Sequence, residues 1–162
     1  EGFDQAVNIE DWTFDLKSEG YRLPSDAEWE LAAKWLDDRD YAFGDDPGHY
    51  KPMNVQLNDD GFDDVLSPVG WFSPQGDSHD GICDLSGNVY EWCLDWQGDY
   101  FRSWVDSLFV DPINPYTGRN KICRGGSAQG CFRSARTFDK ANIKIDDVRE
   151  NIGLRTVRVI AE

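Results

Sequence analysis

The chain has 162 residues, enough for one domain with a real core and too few for two of comfortable size, so it reads as a single domain over 1–162. It is 40% hydrophobic and 14% aromatic with seven Trp, a content of bulky apolar surface that argues against disorder. Its 31 acidic and 16 basic residues give a formal charge of −15, which disfavours nucleic acid and anionic membranes as partners and favours cations and basic surfaces.

In chain order, Phe3 to Leu16 shows weak periodicity and is predicted to form a short helix ending before Gly20. The run Leu23 to Leu36 carries a stronger signal. Ser25 is placed to cap the N-terminus and Glu28, three residues on, completes a capping box, while Trp29, Ala32, Ala33 and Leu36 recur at helical spacing. From Tyr41 to Gly81 the chain is dense in Gly, Pro, Asp and Asn, the composition of turns. Within it Asp59, Asp60, Asp63 and Asp64 lie within six residues, a repulsion that a bound cation or full solvation would relieve. So long a loop inside a compact domain needs an organiser other than regular ladders. Strand-like runs follow at Val89 to Trp92, Lys121 to Arg124 and Gly153 to Ile160. The expected class is α+β, loop-rich, with a small antiparallel sheet and one or two helices.

The four cysteines, Cys83, Cys93, Cys123 and Cys131, form no CxxC pair, so a structural zinc site is not expected. Their even number permits two disulfides; the simpler reading is buried free thiols. His49 and His79 stand alone in polar loops and read as surface residues. Trp29, Trp71, Trp92 and Trp96 are assigned to the core. No run of about 18 apolar residues is present, so no membrane insertion is expected.

Six motifs then fall in one order. Tyr21-Arg22-Leu23-Pro24-Ser25-Asp26-Ala27-Glu28-Trp29-Glu30 resembles "RLPTEAEWE", Tyr41-Ala42-Phe43-Gly44 resembles "YPWG", and Ser67-Pro68-Val69-Gly70 resembles a "PVG" turn. Asp84 to Trp92 is similar to "DMSGNVWEW", Arg124-Gly125-Gly126-Ser127 to "RGGSW", and Arg133-Ser134-Ala135-Arg136 with Asn151 to Arg155 to "RSAxR…NxGFR". Together they resemble the formylglycine-generating-enzyme/sulfatase-modifying-factor family, which implies an irregular C-type lectin-like fold. That family includes copper-dependent oxidases, iron-dependent sulfoxide synthases, non-catalytic domains and the variable proteins of diversity-generating retroelements, so the fold is implied more firmly than the function.

The resemblance implies two structural calcium sites. One would take side-chain oxygens from Asp84 and Glu91 with carbonyls of Gly87 and Val89; the other, side chains of Asn54 and Asp60 with carbonyls of Val55 and Phe62. Without a cation, Asp84 would cap a turn and Glu91 would pair with an arginine such as Arg124. The oxidases hold copper(I) through two cysteines after "GGS", whereas here Ala128 to Phe132 carries Cys131 alone; copper and catalysis are therefore not expected. Starting close to the helix motif, the chain reads as a stripped-down domain. What the variable proteins imply instead is a ligand-binding surface at Ala128, Gln129, Gly130, Cys131, Phe132, Thr137, Phe138 and Lys140. On that reading the chain is a monomer that recognises a protein or cell-surface ligand, displayed on a cell or virion surface. The alternatives are an oxidase or other enzyme of the family and a non-catalytic accessory domain.

Overall fold

The computed structural model describes residues 7–8, 13–14, 20–45, 52–57, 59–62, 65–98 and 118–158. Among these residues the one α-helix, α1 (Asp26–Lys34), begins where the sequence places it. Ser25 Oγ accepts the Glu28 amide at 3.1 Å while Glu28 Oε2 accepts the Ser25 amide at 2.8 Å, so two otherwise orphaned N–H groups are satisfied reciprocally. The Glu28 carboxyl is pulled both ways. Burial raises its pKa, and the Arg22 guanidinium, bound through both oxygens at 2.6 Å, outweighs that together with Ser25 and holds it below the ordinary value. The helix ends earlier than the apolar stripe. Trp35 adopts φ 55 and its amide closes on Leu31 O, which turns the chain off the helix axis and leaves Leu36 82% exposed.

Among the described residues eight strands accompany it. β1 (Val7–Asn8) pairs antiparallel with β2 (Thr13–Phe14), in place of the helix expected over Phe3 to Leu16. β3 (Tyr21–Arg22) pairs with β8 (Val157–Arg158). The main sheet has the order β6 (Ala141–Lys144), β5 (Asn120–Arg124), β4 (Tyr90–Trp96), β7 (Ile152–Gly153), with β4 and β7 parallel and the other pairs antiparallel. The single strand predicted from Gly153 to Ile160 is thus divided between two sheets, because Arg155 turns inward between its halves to reach Glu91.

Trp29 and Ala33 of α1 pack with Ala42, Leu85, Cys93 and Ile122 against the sheet. A second cluster gathers Tyr41, Met53, Val55 and Ala135, with Phe43 and Phe132 at its edge. Among the described residues of 41–81 the only ladder contact is the bridge Tyr41–Gly44, and tight turns carry the rest. Trp29 and Trp96 are core residues, Trp92 is half-buried, and Trp71, expected inside, is 60% exposed. His79 stacks on Trp35 at 4.3 Å; His49, Asp63 and Asp64 lie outside the described residues.

Candidate functional site

The stretch Asp84 to Glu91 stitches three loops together. At Gly87 (φ 93) the amide donates to Gly125 O at 2.7 Å, and the next amide, of Asn88, donates to Asn54 O at 2.8 Å. The Asn88 side chain accepts from the Ser67 amide at 3.1 Å and from Asn54 Nδ2 at 3.4 Å, and donates to Ser67 O at 3.3 Å. Asn88 O in turn accepts the Ala128 amide at 2.8 Å. The loops bearing Asn54, Ser67, Gly125 and Ala128 are therefore tied to this one motif.

The two predicted cation sets differ in what their oxygens already do. Asp84 Oδ2 accepts the Gly70 amide at 2.7 Å. Glu91 takes Arg155 through both oxygens, at 2.6 and 2.7 Å, and the Trp29 indole N–H at 2.6 Å; its arginine is Arg155 and not Arg124. Burial works against the Arg155 charge, yet Glu91 raises its pKa above the ordinary value. A cation between Asp84 and Glu91 would have to displace the half-buried Arg155 guanidinium from both Glu91 oxygens, so that set, with the Gly87 and Val89 carbonyls, fits a cation poorly.

Asn54 and Asp60 are different. Asn54 is 1% exposed; its Nδ2 donates to Val65 O at 2.8 Å, but its Oδ1 is buried with no hydrogen-bond partner. Asp60 Oδ1 accepts the Phe62 amide at 3.0 Å, and its Oδ2 is likewise buried without a partner. Orphaned buried oxygens cost about 1–3 kcal/mol each, more when charged. An amide oxygen, a carboxylate and the nearby carbonyls of Val55 and Phe62 form an all-oxygen donor set, which suits a hard cation such as calcium.

The predicted ligand-binding segment divides into a buried half and an exposed half. Ala128 is 0% and Thr137 1% exposed, so neither reaches the surface. The Thr137 amide donates to Asp40 O at 2.8 Å, its hydroxyl to Arg39 O at 2.7 Å, and its own carbonyl accepts Arg124 Nη1 at 2.8 Å. Arg124 is itself fully buried, paired with Asp26 and, at 2.5 Å, with Glu30. Gln129 and Cys131 are exposed; Gly130 is half-buried, its carbonyl accepting the Gln56 amide at 2.9 Å. A short 3-10 helix, Phe132–Ala135, follows. Phe132 is half-buried against the second core cluster, Phe138 is exposed beneath the Arg136 guanidinium at 5.6 Å, and Lys140 reaches Asp26 at 2.5 Å from the rim. Arg133, which the motif comparison treats as a fixed position, also lies exposed on this surface, over the Phe132 ring at 5.9 Å. Arginine beside an aromatic at both ends of the segment was the available signal.

All four cysteines are free. Cys123 is enclosed in the sheet, where burial pushes its thiol up to about 12, and burial likewise raises Cys93 and Cys83. Cys131 is at the surface, at the N-terminal boundary of the 3-10 helix, with no capping hydrogen bond from its thiol. A cavity of about 330 Å³ lies elsewhere, lined by Leu23, Trp92, Lys121, Ile145, Val148 and Ile152, apart from both candidate sites.

Residues 4–160 match the family described as "Sulfatase-modifying factor enzyme 1-like domain". The chain belongs to that family. It is 37% identical over 132 residues to a formylglycine-generating enzyme of Streptomyces coelicolor, covering 75% of this chain and 40% of that one. It is 33% identical over 119 residues to the serine/threonine-protein kinase Pkn1 of Chlamydia trachomatis, covering 72% of this chain and 17% of that one. Among solved structures it resembles Treponema denticola variable protein 1, with a TM-score of 0.77 and 29% identity over 96% of this chain and 55% of that one. The sulfatase-modifying-factor fold is thus the α+β, C-type lectin-like one expected, and the chain spans about two-fifths of the enzyme it matches. Among the described residues no helix is long and apolar enough to cross a membrane.

Proposed function

We propose that this sulfatase-modifying-factor domain is a recognition module that presents Gln129, Gly130, Cys131, Phe132, Phe138 and Lys140 to a protein or cell-surface ligand. One observation carries the reading: the segment's anchors, Ala128, Thr137 and Arg124, are wholly buried and hydrogen-bonded, whereas Gln129, Cys131 and Phe138 beside them face outward. Exposed positions on so tethered a loop can change without disturbing the core. The likeness to Treponema denticola variable protein 1 supports the same reading. A calcium ion held by Asn54, Val55, Asp60 and Phe62 would brace the neighbouring loop, whose Gln56 amide bonds the segment at Gly130.

Simultaneous replacement of Gln129, Cys131 and Phe138 by Ala tests the display role: the melting temperature should stay within a few degrees of the parent. A loss of cooperative folding would overturn the tether argument. In the neighbouring DNA, a reverse transcriptase gene and a near-copy of the segment's coding sequence are expected, and their absence would remove the retroelement reading. Chelation of calcium should lower the melting temperature by roughly 5–10 °C if the ion is present at about a hundred times its Kd. An Asp60→Ala variant should lose that response.

The identity to formylglycine-generating enzymes favours a second reading, an oxidase in which Cys131 serves as a thiolate. Tight copper(I) binding that Cys131→Ser abolishes, with oxygen consumed on a cysteine-containing peptide, would replace the first reading with this one.

A further inference from the structure

Leu57, Val65, Leu66, Val69 and Trp71 are outward-facing and lie outside the recognition segment. Leu57 is 91% exposed, Val69 84%, Val65 and Trp71 60%, and Leu66 45%. These side chains are not on frayed ends. The Val65 amide bonds Phe62 O at 2.9 Å, Trp71 bonds Pro68 O at 3.1 Å, and Gly70 bonds Asp84 at 2.7 Å. Phe62 meets the edge of Trp71 at 5.4 Å and of the buried Phe72 at 6.2 Å, so the exposed aromatic is braced against the core. Large apolar side chains held in water give up about 25 cal/mol per Å² that burial would recover, and Val69 and Trp71 stand together in one hydrogen-bonded turn as a candidate docking site.

Charge selects the occupant. From position 52 to 101 the sequence contains no Lys or Arg, Asp59 and Asp60 belong to the loop 57–71, and Asp84 bonds to it. One cation at Asp60 would still leave the rim acidic. A second copy of the chain would bring another formal charge of −15 against it, and an anionic lipid surface would be repelled. We propose that this loop docks a cationic amphipathic segment of a partner protein, in which Lys or Arg alternates with Leu-sized or larger apolar side chains. Val69 and Trp71 would take the apolar positions and the aspartates the basic ones.

The test uses the full chain in calcium and a 14-residue amphipathic peptide of Leu and Lys, with two controls: a Leu–Glu counterpart and a Lys–Ser peptide of equal charge. Isothermal titration should show the Leu–Lys peptide binding at least tenfold more tightly than either control, and at least tenfold more weakly at 0.5 M than at 0.05 M salt. Val69→Ser with Trp71→Ser, and Val69→Ser alone as the milder change, should weaken binding tenfold or more while the circular dichroism is unchanged. Gln129→Ala with Phe138→Ala should leave it intact. Equal binding of the Lys–Ser peptide would reduce the effect to charge alone and overturn the proposal. So would binding that survives the Val69 and Trp71 changes, adsorption to phosphatidylcholine vesicles in place of the peptide, or a dimer that Trp71→Ser dissolves.

Discussion

Replacing Gly87 by Ala should damage the domain far more than the same change at Gly81, and the difference measures how tightly the Asp84 to Glu91 motif clasps the loop beside it. Both glycines have positive φ, +93 at Gly87 and +76 at Gly81, so both substitutions incur the left-handed backbone cost of about 1–2 kcal/mol. Around Gly81 nothing lies within 4 Å of an added Cβ. At Gly87 that atom would fall 3.0 Å from the Asn54 carbonyl carbon, 3.1 Å from its nitrogen and closer still to its oxygen. All three are backbone atoms, so no side chain can swing away; Asn54 must retreat, and its hydrogen bond from Asn88 stretches or breaks. Overpacking at about 1–3 kcal/mol and a lost hydrogen bond at about 1 kcal/mol bring the expected cost to on the order of 3–6 kcal/mol, against about 1–2 for Gly81→Ala. At about 2–4 °C per kcal/mol the melting temperature should fall by roughly 10–15 °C in the first variant and a few degrees in the second. Urea denaturation with matched m-values is the assay. A Gly87→Ala variant within about 1 kcal/mol of Gly81→Ala would refute the clasp. Calcium supplies a second readout, since moving Asn54 should blunt the chelator response in Gly87→Ala and leave it intact in Gly81→Ala.

Glu91→Ala strands the Arg155 guanidinium and the Trp29 indole N–H together and should cost about 3–5 kcal/mol in urea; adding Arg155→Met should restore part of the loss in a double-mutant cycle. Ser25→Ala removes one arm of the capping box and should cost about 1 kcal/mol, read as a lower urea midpoint. Burial lowers the Lys121 pKa from 10.5 to about 8, partly countered by Asp95. Below pH 8 the amine is charged in both folded and unfolded chains and the whole penalty is present. Between about pH 8 and 10.5 the unfolded chain binds more protons, so stability rises with pH. The buried thiols oppose this above about pH 8.5, so the comparison is made with Lys121→Met, which shares them. Relative to that variant the parent should gain on the order of 2 kcal/mol across the window; the full shift corresponds to about 3, reduced by water reaching the amine from its cavity. A flat difference would show the amine to be well solvated.

Local chemistry was enough to read the start of α1 from Ser25 and Glu28, because a capping box involves atoms three residues apart. The six motifs were likewise enough to place the chain in its family and fold, since each encodes a turn, a cap or a core contact that survives changes around it. Asn54 and Asp60 were singled out by the family resemblance; composition marks the whole loop as oxygen-rich without picking them from it. The partners of ionic groups were not legible. Glu91 chose Arg155, 64 residues away, over Arg124, because the chain crosses between two sheets at that point and Asp26 with Glu30 had already claimed Arg124. Nor could periodicity tell that Ala128 and Thr137 face inward while Trp71 and Leu36 face water. In a domain built from turns, side-chain direction follows from which distant backbone group each loop bonds to, and no repeat of 2 or 3.6 residues encodes that choice. Local chemistry thus placed the start of the helix and the motif resemblance gave the family and fold, while long-range packing settled which charges pair and which side chains face outward.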